Sequence, residues 1–320
     1  MRGQLTQMPT AVEQIINQKE KVVEQYGEWT AHNIHLADNV YTISDQIRGD
    51  EVLARRVLQI VSDVLKNPLS MARILDLACL EGLYAVEFAQ HGAQTVGVEI
   101  REANLAKARF VKETLALDNL KLVQDDVRNL SSDKYGHFDA VLCIGILYHL
   151  DAPDVFDFVH RMAEVCTGCL VIDTHVSNTK EVSSKYGERE YWGKFFTEHE
   201  PDTTLAEREK SLWASIDNVK SFWLTRPSLY NLLAHAGFTS VYECYNPPVW
   251  QKFDDRCTLL AIKGEPQEVL SAPSLLAAAS KDWSENSLQA ESPRVRSSGL
   301  RSFGKILPAP VKNFVKKLAG

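Results

Sequence analysis

The fold is set by residues 72–110, which read ARILDLACLEGLYAVEFAQHGAQTVGVEIREANLAKARF. An apolar run from Ile74 to Leu77 is followed by small residues and Gly82, and apolar side chains then recur with helical spacing up to the next glycine. A second apolar run ends at Glu99. A strand, a helix and a second strand within about 30 residues predict a βαβ unit, whose ligand lies at the carboxyl ends of its strands.

Three residues of this unit carry candidate chemistry. Asp76 places a carboxylate at the end of an otherwise apolar strand, and Gly82 allows the backbone to come close to a ligand. Glu99 ends the second strand, where its carboxylate can accept hydrogen bonds from the two hydroxyls of a ribose. Taken alone, Asp76 is also typical of a helix N-cap and Glu99 of a solvated strand end. Their spacing together favours a nucleoside-binding site.

The same residues resemble the first motif of the class I S-adenosylmethionine-dependent methyltransferases, Asp-Leu-Gly-Cys-x-x-Gly, which stands here as DLACLEG at residues 76–82. The differences are Ala78 in place of the usual glycine and Leu80 in place of a frequent second glycine, and both make the loop stiffer. The resemblance implies an α/β fold with a Rossmann-like, seven-stranded, mostly parallel sheet, an antiparallel edge strand and helices on both faces. It implies S-adenosyl-L-methionine as the cofactor. A nicotinamide dinucleotide site would need G-x-G-x-x-G.

The resemblance extends to two later strands. LKLVQDDV at 120–127 predicts the third strand, and its end implies that Asp126, or the adjacent Asp125, accepts a hydrogen bond from the adenine amino group. FDAVLCIGILYHL at 138–150 predicts the fourth strand, with Gly145 at a close backbone approach where the methyl group is presented. The cofactor-binding set implied is therefore Asp76, Ala78, Gly82, Glu99, Asp126 and Gly145.

Two histidines are candidate general bases. His149 lies in a Leu-Tyr-His stretch that resembles a subset including the wobble-uridine carboxymethyltransferases of tRNA, and it also suits capping of the next helix. LVIDTHV at 170–176 predicts the fifth strand, on which Asp173 and His175 project to the same side. We rank His175 first as base, oriented by Asp173; an ordinary polar strand end is the alternative. No metal site is predicted, because the chain has only a lone C-x-x-C and no completed ligand cluster.

Segments outside the core predict further parts. Residues 1–50 predict a helical cap or lid, in which His32 suits either the site or simple packing, and residues 51–264 the methyltransferase domain. Residues 178–226 are rich in aromatic side chains interleaved with charges, which predicts a lid insertion after strand 5. Aromatic faces suit sugar rings or flat ring systems in an acceptor, and they equally suit a homodimer interface.

Charge separates the body from the tail. The chain has 320 residues and a net charge of −7, and the seven Lys and Arg and one acidic residue of 290–320 give that stretch +6, which leaves −13 on the rest. An acidic body disfavours a nucleic acid as partner. Residues 265–320 predict a Ser/Ala/Pro-rich linker and a basic C-terminal tail, suited either to weak contact with a membrane surface or to solubility alone. Six scattered cysteines and a polar N-terminus predict a cytoplasmic location.

Together these features predict a methyltransferase that acts on a small-molecule, sugar or glycan-type hydroxyl. Transfer would be an in-line displacement in which the sulfonium leaving group supplies most of the activation and the protein supplies positioning. A tRNA uridine-modifying (carboxy)methyltransferase is one alternative. A cofactor-binding regulatory protein without activity is the other, and the substitutions Ala78 and Leu80 motivate it.

Overall fold

The computed structural model describes residues 10–46, 50–244, 254–267, 269–271 and 282–284. All of these except Ser284 belong to the compact unit Met1–Trp283. Most of the predicted linker and the whole of the basic tail lie outside the described residues.

The N-terminal part consists of two helices and a short hairpin. Helix α1 (Ala11–Tyr26) begins with a capping box, in which Thr10 and Glu13 each accept a hydrogen bond from the other's backbone N–H, and it ends at Gly27. Strands β1 (His35–Ala37) and β2 (Val40–Tyr41) pair antiparallel. Helix α2 (Asp50–Val64) then leads into the core.

The core alternates strands and helices, as the sequence predicts. In chain order its elements are β3 (Arg73–Leu77), α3 (Leu83–Gln90), β4 (Gln94–Glu99), α4 (Glu102–Thr114), β5 (Leu120–Gln124), α5 (Ser132–Tyr135), β6 (Phe138–Ile144), α6 (Asp154–Val165) and β7 (Cys166–His175). The strands of this parallel sheet appear in the sequence as apolar runs because helices cover both faces of the sheet.

After β7 the chain forms a second small sheet and then returns to the core. The elements that follow β7 are β8 (Val182–Tyr186), β9 (Arg189–Thr197), α7 (Leu205–Lys210), β10 (Lys220–Leu224), α8 (Arg226–His235), β11 (Ser240–Cys244) and β12 (Arg256–Ile262). Strands β10, β9 and β8 lie side by side in that order and pair antiparallel.

The main sheet has seven strands in the order β11-β12-β7-β6-β3-β4-β5. Strands β3 to β7 are parallel, and β12 runs antiparallel to both of its neighbours, one strand in from the edge. The predicted Rossmann-like, mostly parallel sheet is confirmed. Since β3 pairs with both β4 and β6, the chain order reverses there, and the carboxyl ends of these strands form the crevice where such sheets bind ligands.

Two apolar cores cover the two faces of the sheet. Leu75 packs with side chains of α6 and α8, whereas its neighbour Ile74 packs with side chains of α2 and α3. Cys166 belongs to the first of these cores and Cys169 to the second, and both lie on β7, which starts at Cys166. All six cysteines are free.

Candidate active site

A cavity of about 260 Å³ lies at the carboxyl ends of β3, β4, β5 and β6. The sequence-predicted cofactor residues that line it are Ala78, Glu99, Asp126 and Gly145. Residues 211–217, here called the cover segment, contribute Leu212 to Asp217 to its wall, and the N-terminal part contributes His32. The cavity therefore combines the predicted switch-point crevice with parts of the chain distant in sequence.

Asp76 and Gly82 lie near this cavity but do not line it. The Asp76 carboxylate is 1% exposed and accepts a hydrogen bond from the Ala85 N–H at 3.0 Å, so it fixes the first turn of α3. Burial raises the pKa of Asp76 to about 8. At Gly82, φ is +92°, and a Cβ would lie 3.0 Å from Cβ of Ala108. The structure thus places both residues in support of the loop, where the sequence predicts direct cofactor contact.

The loop after β3 holds three residues in the left-handed backbone region. Besides Gly82, these are Ala78 with φ 53° and Leu80 with φ 50°. This conformation costs a non-glycine residue roughly 1–2 kcal/mol, which gives a physical reason for the glycines of the motif. Ala78 and Leu80, which replace glycines of the motif, thus adopt the backbone region that glycine favours.

Glu99 presents a preorganised carboxylate to the cavity. Its Oε2 accepts from the Leu80 N–H at 3.0 Å and its Oε1 from the Arg101 N–H at 2.8 Å. Burial raises the pKa of Glu99. A carboxylate has about four lone-pair sites, so capacity for the two hydroxyls of a ribose remains.

Asp126, and not Asp125, faces the cavity. Asp125 is held by Lys134, Tyr135 and Asn129 on the other side of the loop. Asp126 caps the short turn that follows it, accepting from the Arg128 N–H at 2.8 Å, and its Oδ2 lies 2.6 Å from Nη2 of Arg128. The choice that the sequence leaves between the two aspartates is made by these contacts.

A buried ion pair fastens the N-terminal part to the motif loop. Glu81 is fully buried, accepts hydrogen bonds from the backbone N–H groups of residues 30–32, and lies 3.2 Å from Nζ of Lys107. Lys107 also donates to the Glu28 carbonyl at 2.5 Å. Within this part, Nδ1 of His32 accepts from the Leu83 N–H at 3.1 Å, and burial lowers the pKa of His32 to about 4. His32 is therefore a neutral wall residue.

Two arginines, which contact Glu99 and Asp126, hold the cover segment. Nη2 of Arg101 donates to the carbonyls of Ser211 and Ala214, each at 2.9 Å. Nη2 of Arg128 lies 2.6 Å from Oδ2 of Asp217. The indole of Trp213 lines the cavity and is 66% exposed, so it forms part of the rim.

His149 lines the cavity as one half of a histidine–carboxylate pair. Its Nδ1 lies 2.9 Å from Oε2 of Glu198, whose side chain is 1% exposed. A carboxylate only accepts, so Nδ1 carries the proton and Nε2 keeps its lone pair for another proton. This arrangement suits a general base.

His175 sits in a different environment from the one predicted. Its Nδ1 lies 2.8 Å from Oδ1 of Asp255, and its ring stacks on Trp223 with centroids 4.9 Å apart. It does not line the cavity, and burial lowers the pKa of His175. Asp173 does not orient it, since the Asp173 carboxylate is taken by Nε of Arg256 at 2.5 Å and by the hydroxyl of Thr258. Although the two residues share a strand, their partners differ. Asp173 contacts Arg256 and Thr258 of β12, whereas His175 contacts Asp255, which directly precedes β12.

A donor pair lies over Gly145. A Cβ at this glycine would lie 3.8 Å from the Tyr148 hydroxyl and 3.9 Å from Nη2 of Arg256. Burial raises the pKa of Tyr148, so its hydroxyl remains a donor. Among the residues that the structure describes, neither Nη2 of Arg256 nor the Tyr148 hydroxyl has a protein hydrogen-bond partner. Both groups are available to a ligand.

Sequence reasoning missed Arg101, Arg128, Glu198 and Arg256. Arg256 directly precedes an apolar run and carried no signal of its own, and Glu198 carried none because its partner is 49 residues away. In the described parts of the chain, no three His, Cys, Asp or Glu side chains are grouped to hold a metal ion. None of the described helices is both long and apolar enough to span a bilayer.

Comparison with known proteins agrees with this geometry. Residues 74–168 match the family model described as methyltransferase domain. A ubiquinone biosynthesis O-methyltransferase of Rhodopseudomonas palustris (strain TIE-1) is 29% identical over 148 residues, 42% of this chain and 56% of that protein. The corresponding protein of Acinetobacter baumannii (strain AYE) is 30% identical over 81 residues, 25% of this chain and 34% of that protein. The matches thus span between about a third and about half of these relatives' length.

Among solved structures, the N-terminal domain of EvdMO1, crystallised in the presence of SAH and D-fucose, superposes with a TM-score of 0.59 at 23% identity. The match covers 82% of this chain and 99% of that chain. Fold, cavity and family match together define a nucleotide-cofactor domain of the Rossmann-like type. Residues 74–168 match a methyltransferase domain, and the fold around them is the one implied by the resemblance to class I S-adenosylmethionine-dependent methyltransferases, whose cofactor is S-adenosylmethionine.

Proposed function

We propose that the protein is an O-methyltransferase that acts on a hydroxyl group of a small-molecule, sugar or glycan acceptor. The observation that carries the proposal is the His149–Glu198 pair, which places an imidazole in the wall of the cofactor cavity that Gly145 also lines. The curated relatives are named as O-methyltransferases, which supports oxygen as the methylated atom.

The cofactor residues fit the group that the fold implies. Glu99 and Asp126 are aligned to accept from a ribose and from an adenine amino group, and Ala78 and Gly145 leave room between them. When bound, S-adenosylmethionine supplies an electrophilic methyl group. The four residues hold and orient it, and the cover segment excludes water from the reacting groups.

His149 then handles the proton of the acceptor. Bound S-adenosylmethionine would supply the methyl group and would keep the electron pair of the broken carbon–sulfur bond, while the proton of the methylated hydroxyl would pass to Nε2 of His149. Glu198 stabilises the resulting imidazolium through Nδ1. The geometry favours His149 over His175, which the sequence analysis ranks first, because His149 lines the cavity and His175 does not.

The rim supports a ring-shaped acceptor. Trp213 has an exposed indole at the mouth of the cavity. The sequence outside residues 290–320 is strongly acidic, which disfavours a polyanionic acceptor. Phe195 and Phe196 are also exposed, at 45% and 41%, and their use in a homodimer is the competing explanation. Analytical ultracentrifugation of the wild-type chain and of Phe195→Ser tests that explanation independently of activity.

The test is transfer of a labelled methyl group. The protein is incubated with methyl-labelled S-adenosylmethionine and, separately, with small-molecule and glycan hydroxyl pools, a lipid extract and bulk tRNA. We expect label in the hydroxyl pools, in products stable to mild alkali as ethers are. Label confined to tRNA would overturn the proposal, and intact cofactor binding with label in no pool would favour a regulatory role.

One observation favours a second candidate, carboxymethyl transfer to a tRNA uridine. Nη2 of Arg256 and the hydroxyl of Tyr148 converge over Gly145, where they could bind a carboxylate carried by the transferred carbon. This reaction needs a sulfonium donor that bears such a carboxylate. Arg256→Leu should then abolish carboxymethyl transfer, whereas simple methyl transfer should keep most of its rate, and mass spectrometry of the product tells the two apart.

A further inference from the structure

Glu198 makes more contacts than a simple partner of a base needs. Its Oε2 accepts from Nδ1 of His149 and from the Ser215 N–H, both at 2.9 Å, and its Oε1 accepts from the Ser221 hydroxyl at 2.7 Å. Burial raises the pKa of Glu198, but the hydrogen bonds from His149, Ser221 and Ser215 outweigh it and lower the pKa below its usual range. Glu198 is thus a buried, ionised carboxylate with three donors.

One of these donors belongs to the cover segment. Ser215 lies in the middle of residues 211–217 and lines the cofactor cavity. Its hydroxyl also donates to Oδ1 of Asn218, whose amide donates to the His149 carbonyl at 2.9 Å. Both the ring and the backbone of His149 are therefore connected to this part of the chain.

The other end of the cover segment is connected to the cofactor carboxylates. The backbone N–H of Arg101 donates to Glu99, and its guanidinium donates to the carbonyls of Ser211 and Ala214. Nη2 of Arg128 donates to the carboxylates of both Asp126 and Asp217. The segment forms part of the cavity wall, and movement of Ser215 away from the cavity would break its bond to Glu198.

We infer that Glu198 is a positioning residue that couples closure of the cover segment to the alignment of His149, so that the base is aligned only when the segment encloses the cofactor. This inference rests on the proposed function of His149 as base. The physical basis is the exposure of Glu198 to water when the segment is open. Water then competes with Nδ1 of His149 for the carboxylate, and the imidazole is no longer held in a single tautomer. The coupling would keep the base idle until the cofactor is enclosed.

The test reads the imidazole directly and needs no acceptor. In protein labelled with ¹⁵N-histidine and saturated with S-adenosylhomocysteine, His149 should show the Nδ1–H tautomer in the wild type. Arg101→Ala loosens the cover segment without touching Glu198 or His149, and we expect it to give a mixture of tautomers together with faster exchange of the Ser215 amide. Glu198→Gln should give the same mixture while the Ser215 amide stays largely protected.

Two internal controls sharpen the result. Nδ1 of His175 is paired with Asp255, outside the cover segment, so His175 should keep its tautomer in either variant. Glu190→Gln alters an exposed carboxylate of β9 that bonds only Ser183 among the described residues, and His149 should keep its tautomer. If Arg101→Ala opens the segment, as amide exchange shows, and the His149 tautomer is unchanged, the coupling is refuted.

Kinetics separate this inference from the function on which it rests. With an acceptor in hand, Glu198→Gln should lower kcat ~10²-fold and leave KM for S-adenosylmethionine within about twofold. A strong loss in His149→Ala with full activity in Glu198→Gln would overturn the inference alone. Full activity in His149→Ala would overturn the proposed base as well, whatever the tautomer experiment gives.

Discussion

At the scale of single residues, the site depends on carboxylates that water does not reach. Asp76 and Glu99 are 1% and 3% exposed, and each is held by backbone N–H groups of the motif loop or the helix that follows. The sequence predicted both as cofactor ligands because it shows only that a carboxylate ends a strand. Which carboxylate reaches the cavity depends on the direction of the loop, and that direction is set by Ala78, Leu80 and Gly82 in the left-handed region.

The raised pKa of Asp76 predicts a dependence of stability on pH. With a pKa of about 8 in the folded chain against an ordinary value of 3.8, the folded state binds more protons between these pH values. Its contribution to stability is therefore complete below about pH 4 and is lost as the pH rises through about 8. Asp76→Asn should flatten the fall in unfolding free energy between pH 5 and pH 8 in urea denaturation.

Asp125→Asn is the matched control for that experiment. Although burial raises it, hydrogen bonds from Lys134, Tyr135 and Asn129 lower the pKa of Asp125 to about 2, so its titration ends well below pH 5. This variant should follow the wild-type slope between pH 5 and pH 8. Parallel curves for the wild type and Asp76→Asn would contradict the assignment of the slope to Asp76.

Glu99 and Asp126 should contribute unequally to cofactor binding. Glu99→Ala removes two charge-assisted bonds to a ribose, worth about 1.5–3 kcal/mol each, so calorimetry should show S-adenosylhomocysteine binding weakened ~10²-fold or more. Asp126→Ala removes one bond to a neutral amine and should cost ~10-fold or less. Glu102→Ala, on the exposed start of α4 where Glu102 pairs with Arg109, should leave the affinity unchanged. Equal losses at Glu99 and Asp126 would argue against the ribose assignment.

At the scale of elements, strands and helices of the core were predictable and those of the insertion were not. Runs such as LVIDTHV predict buried strands because both faces of the parallel sheet are covered. Strands β8 and β9 lack this signal, since their side chains are mostly exposed or half-buried and carry charges such as Lys185 and Arg189. Glu198 follows directly after β9, so its role as partner of His149 was hidden with that strand.

The attachment of the N-terminal part to the core depends on Lys107 and Glu81. Their side chains are 1% and 0% exposed, so removing only the lysine leaves a buried carboxylate whose remaining donors, backbone N–H groups and the Thr30 hydroxyl, are all uncharged. Lys107→Met should therefore lower the free energy of unfolding by ~3–5 kcal/mol, measured by urea denaturation. The double variant Lys107→Met, Glu81→Gln should recover a substantial part of that loss, because no unpaired charge remains buried. A double variant as unstable as the single one would show that the lysine acts through packing and not through charge.

At the scale of the whole molecule, three parts of the described chain meet at one edge of the main sheet. β4 ends at Glu99 and β5 is followed by Asp126, both of which line the cavity; Ala31, His32 and the cover segment form part of its wall; and the return strand β12 brings Arg256 close to Gly145. The sequence predicted the parallel sheet and the place of the cavity, since these depend on local runs and their order. It predicted a cap or lid in residues 1–50 and a lid insertion in residues 178–226, but not the contacts that hold them, because those depend on pairs such as Glu81 with Thr30 and Arg101 with Ala214 that are far apart along the chain.

The central claim is that His149, held by Glu198 at the cofactor cavity, is the base of an O-methyltransferase. The most direct measurement is turnover with labelled S-adenosylmethionine for His149→Ala and for His175→Ala, with S-adenosylhomocysteine affinity measured in parallel. Our account predicts that His149→Ala lowers turnover ~10²-fold or more with affinity within about threefold of wild type, and that His175→Ala keeps turnover within about tenfold. The reverse result, near-normal turnover in His149→Ala and its loss in His175→Ala, would contradict the account.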